Sequence, residues 1–152
     1  MAKKKVKKIV VAVSGGFDPV HIGHIDMFYE AKALGDELVV ILNNDNWLQK
    51  KKGHVFMPQA ERKEILEALK PVDRVVLTQH GPSPSDTSVC QALEELKPDI
   101  FANGGDRKPD GDPIPAPEVD LCKKLGIKMV YNVGCRGKIQ SSSWLVGKYL
   151  KK

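Results

Sequence analysis

The sequence predicts an α/β fold: an open five-stranded parallel sheet with helices on both faces, a Rossmann-like arrangement. Three observations predict it. Five short runs are apolar and rich in β-branched residues, as strands covered on both faces are. Segments of helical periodicity separate these runs. Glycines and prolines stand where those segments should start and stop.

The first strand is Lys8–Val13, and the helical segment Ile22–Leu34 follows it. Gly35 comes directly after Ala33-Leu34, where a helix C-cap glycine belongs. The second strand is Glu37–Leu42, and Asn43–Gly53, with its lysine run, reads as a loop beyond it. Pro58 opens the helical segment Pro58–Leu69, with Glu61 in its first turn, and the strand Arg74–Leu77 follows. Thr87–Leu96 is helical, Pro98 ends it, and Asp99–Ala102 is the fourth strand. The Pro/Gly-rich piece 104–118 reads as a loop after a strand, not a domain boundary. Ala116–Leu125 is helical with Gly126 at its C-cap, Lys128–Asn132 is the fifth strand, and Ser142–Leu150 is the last helix. Strands alternating with helices imply parallel pairing and right-handed crossovers.

The chain of 152 residues fits one domain, with a basic tail at residues 1–7. No apolar run approaches the roughly 20 residues of a membrane span, and the N-terminal apolar segment lacks a small-x-small cleavage site. A cytoplasmic location is the default expectation. The three cysteines, Cys90, Cys122 and Cys135, form no C-x-x-C pair and read as reduced structural thiols. The net charge of +5 favours anionic partners, but lysines at the two ends are most simply solvated tails. They carry no interleaved aromatics of the kind that stack on bases, so a nucleic-acid partner is not expected.

In open α/β sheets ligands bind beyond the carboxyl ends of the strands. Residues 14–24, 43–53, 103–106 and 134–143 all fall on that edge. Ser14, Gly15, Gly16 and Phe17 follow the first strand, and glycines there allow backbone N–H groups to approach a phosphate closely. The stretch is neither a G-x-G-x-x-G fingerprint nor a P-loop. His21 and His24, spaced i, i+3 at the start of a helix, suit a polyphosphate beside the positive end of the helix dipole. A shared zinc is the second reading of the pair, although no third ligand lies nearby in a metal-binding pattern.

"GGFDPVHIGH" resembles the H-x-G-H signature of the cytidylyltransferase-like nucleotidyltransferase superfamily. "HIDMFYEAKALGDELVVILNND" and "ERKEILEALKPVDRVV" are similar to glycerol-3-phosphate cytidylyltransferases, the adenylyltransferase domain of ADP-heptose synthases and archaeal FAD synthetases. The resemblance runs from about residue 9 to 147. It implies in-line attack by an acceptor phosphate oxygen on the nucleotide α-phosphate, with pyrophosphate leaving alongside Mg²⁺ and no covalent intermediate. His21 and His24 would contact the triphosphate and stabilise charge on its α-phosphate, and Gly16 and Phe17 would supply backbone contacts. Asp45 through Lys52-Gly53 matches D-x6-K-G, so Lys52, with Lys50 beside it, would reach phosphates of both substrates. Asp18, Lys50 and Arg62 would lie on the acceptor side, Arg62 either in a buried ion pair or facing phosphate.

In the same family, "GGD" at Gly104-Gly105-Asp106 would sit beside the base and ribose, nearer the ATP-using pattern than the CTP-using one. Arg136 and Ser141, Ser142 and Ser143 resemble R-x3-I-S-[ST]-[ST]: Arg136 would be catalytic, and the three hydroxyls would make an N-cap and an anion site at once, with Gln140 in the isoleucine's place. The resemblance implies a nucleotidyltransferase that moves CMP or AMP from CTP or ATP to a small phosphorylated acceptor. A sugar or polyol phosphate comes first and flavin mononucleotide (FMN) is the alternative. It also implies a homodimer. The rival from another class is a basic module that binds nucleotide or nucleic acid without catalysis.

Overall fold

In a computed structural model of the chain, residues 5–104, 116–134 and 140–150 are described. The elements run β1 (Val10–Gly15), α1 (Ile22–Lys32), β2 (Glu37–Leu42), α2 (Asp45–Lys52), α3 (Gln59–Glu67) and β3 (Arg74–Leu77). They continue with α4 (Cys90–Leu96), β4 (Ile100–Gly104), α5 (Ala116–Leu125), β5 (Lys128–Val133) and α6 (Ser142–Leu150). The five strands form one parallel sheet in the order β3-β2-β1-β4-β5. The chain builds outward from β1 to β3, then returns to the other side of β1 for β4 and β5. The reversal puts the topological switch point between β1 and β4, where such sheets bind ligands.

Alternation along β1 divides the core between the two faces of the sheet. Val11 and Val13 pack with Met27, Phe28 and Ala31 of α1 and Leu66 of α3. Ala12 faces the other way, with Ala92 and Leu93 of α4, Phe101 of β4 and Cys122 of α5. Helices therefore cover both faces, as expected. Burying each Val, Leu or Phe side chain is worth about 1.5–3 kcal/mol relative to exposure. Burial also pushes the Cys122 thiol up to about 11 and raises that of Cys90, so both are inert at neutral pH. Cys135 lies outside the described residues.

Strands β2 and β3 have the bounds read from the sequence, whereas β1 starts later and continues into the glycine turn. Residues 45–52 are a helix, not the expected loop. Asn44 caps it by accepting the Trp47 N–H, and Gly53, at φ +78°, ends it in the left-handed conformation. Helix α4 begins at Cys90 instead of Thr87, because the Asp86 carboxylate takes the Ser88 N–H in a turn. Gly126, at φ +71°, is the left-handed residue after α5 as expected. Gly35 has a different role. A Cβ there would lie 2.7 Å from Val11 Cγ2 and 2.8 Å from the Ile9 carbonyl oxygen, so the glycine lets α1 pass close over β1.

Candidate functional site

The turn after β1 is built by close approach. A Cβ on Gly15 would meet the Phe17 ring at 2.8 Å, and one on Gly16 would meet Leu48 of α2 at 2.9 Å. Phe17 itself has φ +49°, a conformation costly for a bulky residue and held by its surroundings. Its buried ring stands edge-on to His24 at 4.7 Å and tilts against Phe28 at 5.3 Å. Asp18 is also committed to the protein: its two carboxylate oxygens accept the backbone N–H groups of Phe56 and Met57 at 2.7 and 2.6 Å. It lines the cleft while fixing the segment after α2.

The two histidines form a capping box on α1. His21 is the N-cap, and its Nδ1 accepts the Gly23 N–H at 3.1 Å. His24 reaches back, its Nδ1 accepting the His21 N–H at 3.2 Å. The rings stack at 3.8 Å. An Nδ1 that accepts carries no proton, so each neutral ring has its proton on Nε2. Burial, and then the neighbouring His21, pushes His24 down to about 3; burial also lowers His21. Both are neutral donors at pH 7, available to a ligand through Nε2–H. A zinc would need more than this pair, and no group of three or more His, Cys, Asp or Glu able to hold a metal occurs among the described residues.

Helix α2 places the lysine. Its start is anchored by the Asn44 N–H donating to Thr78 Oγ1 and by Asn44 and Asn46 side-chain amides donating to the His80 carbonyl. Lys52, in its last turn, donates from Nζ to Ser143 Oγ at 3.2 Å and so spans the cleft to α6. Lys50 does not line the cleft. Arg62 corrects the sequence reading in part. It is buried and paired, with Nη2 2.7 Å from Asp45 Oδ1, but it lies beneath the site. Its remaining contacts are donations to the carbonyls of Met57, Gly16 and Asn43. The guanidinium braces the glycine turn against α2 and is not among the residues lining the cleft.

On the far side, Ser142 Oγ donates to the Pro19 carbonyl at 2.7 Å, tying α6 to the histidine loop. Gln140, where the family pattern has isoleucine, accepts the Ser141 N–H through Oε1 at 3.0 Å in the turn before α6. These groups enclose a cleft of about 340 Å³ at the switch point. It brings together Ser14, Gly15, Gly16, Phe17, Asp18, His21, His24, Lys52, Ser141, Ser142 and Ser143. Gly105, Asp106 and Arg136, and most of the expected loop 104–118, lie outside the described residues. Trp47, His54 and Asn103 also line the cleft; Trp47 and Asn103 lie in the segments expected on this edge, but the sequence reading singles out none of the three as a site residue. Recognising α2 from Asn44 and Gly53 would have found Trp47; no local signal marks the other two.

Two neutral imidazole donors, an ammonium, four serine hydroxyls and the N-terminus of α1 converge on one cleft, a set suited to an extended polyanion. The cytidylyltransferase-like family model matches residues 12–118. An FAD synthase from Thermococcus sibiricus is 41% identical over 121 residues, covering 79% of this chain and 76% of that protein. One from Pyrococcus horikoshii is 40% identical over 120 residues, covering 78% and 73%. A lipopolysaccharide core biosynthesis protein from Thermoplasma volcanium superposes with TM-score 0.65 at 31% identity, over 84% of this chain and 98% of that one. No described helix is long and apolar enough to cross a membrane. The chain belongs to the cytidylyltransferase-like family and is a nucleotidyltransferase.

Proposed function

We propose that the enzyme transfers AMP from ATP to the phosphate of FMN, forming FAD and pyrophosphate. The observation that carries this is the similarity to FAD synthases over more than three quarters of the chain. It favours the flavin acceptor over the sugar or polyol phosphate that the sequence reading put first. An oxygen of the FMN phosphate attacks the α-phosphorus, a new P–O bond forms, and the bond to the bridging oxygen of pyrophosphate breaks. No nucleophile from the protein is required; positioning and charge stabilisation suffice.

In this proposal the Nε2–H groups of His21 and His24 donate to the α-phosphate oxygens as charge builds on them. Lys52 leaves Ser143 for the phosphates, and Ser141, Ser142 and Ser143 with the start of α6 hold the nucleotide. Gly105 and Asp106 keep the nucleotide-binding role, and Arg136 the catalytic role, that the family motif implies. Magnesium arrives with the triphosphate. The carboxylate lining the cleft, Asp18, is already bonded to two backbone N–H groups, and an ion that keeps its waters and rides on phosphates needs no protein cage. A cytoplasmic homodimer remains part of the proposal, and light scattering at micromolar concentration tests the dimer.

A second reading has its own support. The Thermoplasma volcanium neighbour is named for lipopolysaccharide core biosynthesis, which suits a sugar phosphate acceptor. Pyrophosphate release measured with ATP or CTP against FMN, glycerol 3-phosphate and heptose 1-phosphate separates the two. Turnover confined to ATP with FMN is expected; turnover with a sugar or polyol phosphate and none with FMN rejects the first reading.

A further inference from the structure

The floor of the cleft is flanked by two unlike wings. Beside β4 and β5 it is lined by Ala102, Asn103, Gly104 and Val133, none of them aromatic or charged. On the α2 side it is lined by Trp47, Leu48, Lys52 and His54. Two substrates must meet over the histidines, so each takes one wing. Gly104, on the β4 side, is expected to lie beside the base and ribose, which leaves the α2 wing for the acceptor's ring system.

Among the described Phe, Tyr and Trp residues, the cleft is lined by Phe17 and Trp47. Phe17 is only 3% exposed and its ring is engaged with His24 and Phe28. Trp47 is half-buried and makes none of the ring contacts found among the described residues. Its indole is nevertheless fixed. Nε1–H donates to the Thr87 carbonyl at 2.8 Å, and the backbone N–H donates to Asn44, itself tied to Thr78 and His80. One ring edge abuts the glycine turn, with Cζ3 3.3 Å from where a Cβ on Gly16 would be. A held indole loses little freedom when a second ring stacks on it.

We propose that Trp47 is the platform on which the planar ring system of the acceptor stacks, with Lys52 of the same helix meeting the acceptor's phosphate. The inference rests on the flavin-acceptor reading above and sharpens it. A three-ring isoalloxazine gains from stacking on an indole, whereas a polyol phosphate has no π-face to offer. Trp47 thus selects the acceptor class.

The intact protein is titrated into FMN, whose fluorescence is quenched by stacking on an indole, and compared with Trp47→Leu and Trp47→Phe. KM for FMN and for ATP is read from pyrophosphate release. Wild type should quench; Trp47→Leu should abolish the quench and raise KM for FMN about tenfold, with KM for ATP within about twofold. A rise for ATP alone puts adenine on Trp47, and no change for either leaves Trp47 a packing residue; both overturn the inference with FMN turnover intact. If Trp47→Leu fails to fold, Trp47→Phe decides, since its smaller face should raise KM for FMN about threefold and an unchanged value overturns the inference. No FMN turnover by wild type rejects the acceptor reading itself, and the platform with it.

Discussion

His21 and His24 hold each other in place: the Nδ1 of His24 accepts the His21 backbone N–H at 3.2 Å while their rings stack 3.8 Å apart. One side of each imidazole thus serves the helix and the other is left for a ligand. The two roles separate by substitution. His24→Asn places an amide oxygen where Nδ1 stood, keeping the capping box but deleting the Nε2–H donor. We expect kcat to fall roughly 10²–10³-fold, as on removing one oxyanion donor, with the urea midpoint nearly unchanged. A variant within threefold of wild-type kcat removes His24 from the reaction.

The same burial makes a pH prediction. His24 titrates near 3 in the folded chain, below its ordinary value of 6.5. Between those values the unfolded chain binds a proton that the native one does not. Stability is therefore full above about pH 6.5 and falls as pH drops, by up to about 1.4 kcal/mol per unit from this residue. Urea unfolding of wild type and His24→Asn from pH 7 to 4.5 should give stabilities that nearly coincide at pH 7 and separate as the pH falls, wild type losing more. Parallel curves would mean that His24 titrates normally when folded.

Arg62 has its side chain fully buried, with Asp45 and three backbone carbonyls as partners. Arg62→Met strands those acceptors, and we expect a loss of about 3–5 kcal/mol in urea unfolding. Arg62→Lys should recover little, because one ammonium cannot reproduce the guanidinium fork. A loss under 1 kcal/mol for either variant contradicts the bracing role.

Gly35 tests how a sequence signal can mislead. A C-cap glycine tolerates asparagine, which also adopts the left-handed conformation. A glycine needed for contact with Ile9 and Val11 tolerates neither alanine nor asparagine. We expect Gly35→Asn to cost at least as much as Gly35→Ala, roughly 1–3 kcal/mol each by urea unfolding. An asparagine variant close to wild type restores the cap.

What the sequence shows of this molecule follows from range. The bounds of β2 and β3 were readable because Glu37–Leu42 and Arg74–Leu77 are apolar runs with β-branched residues at their centres, a local property. The histidine pair was readable because its spacing is part of a helix start. Helix α2 was hidden by three consecutive lysines and a single buried apolar residue, Leu48, although Asn44, Asp45 and Gly53 mark its ends. Arg62 and Asp18 could not be placed, since their partners lie up to 46 residues away and only the fold brings them together. A surface arginine and a buried brace look alike in one dimension.

Lys52 offers the sharpest contrast between stability and activity. Its bond to Ser143 is exposed, so Lys52→Met should change the unfolding free energy from urea titration by no more than about 0.5 kcal/mol. The ammonium's proposed task is to meet phosphate charge of the two substrates as they react, and a methionine of similar length cannot do that. We expect kcat/KM to fall roughly 10²–10³-fold, with Lys52→Arg recovering only part because the fork cannot act as a compact point charge. Lys50→Met is the control: it removes the same charge from the same helix but outside the cleft, and should stay within about twofold of wild type. If both lysine variants lose activity equally, the helix supplies a diffuse positive field and no single residue acts. A selective loss at Lys52 leaves the contact across the cleft as the explanation, because charge, helix and exposure are otherwise matched.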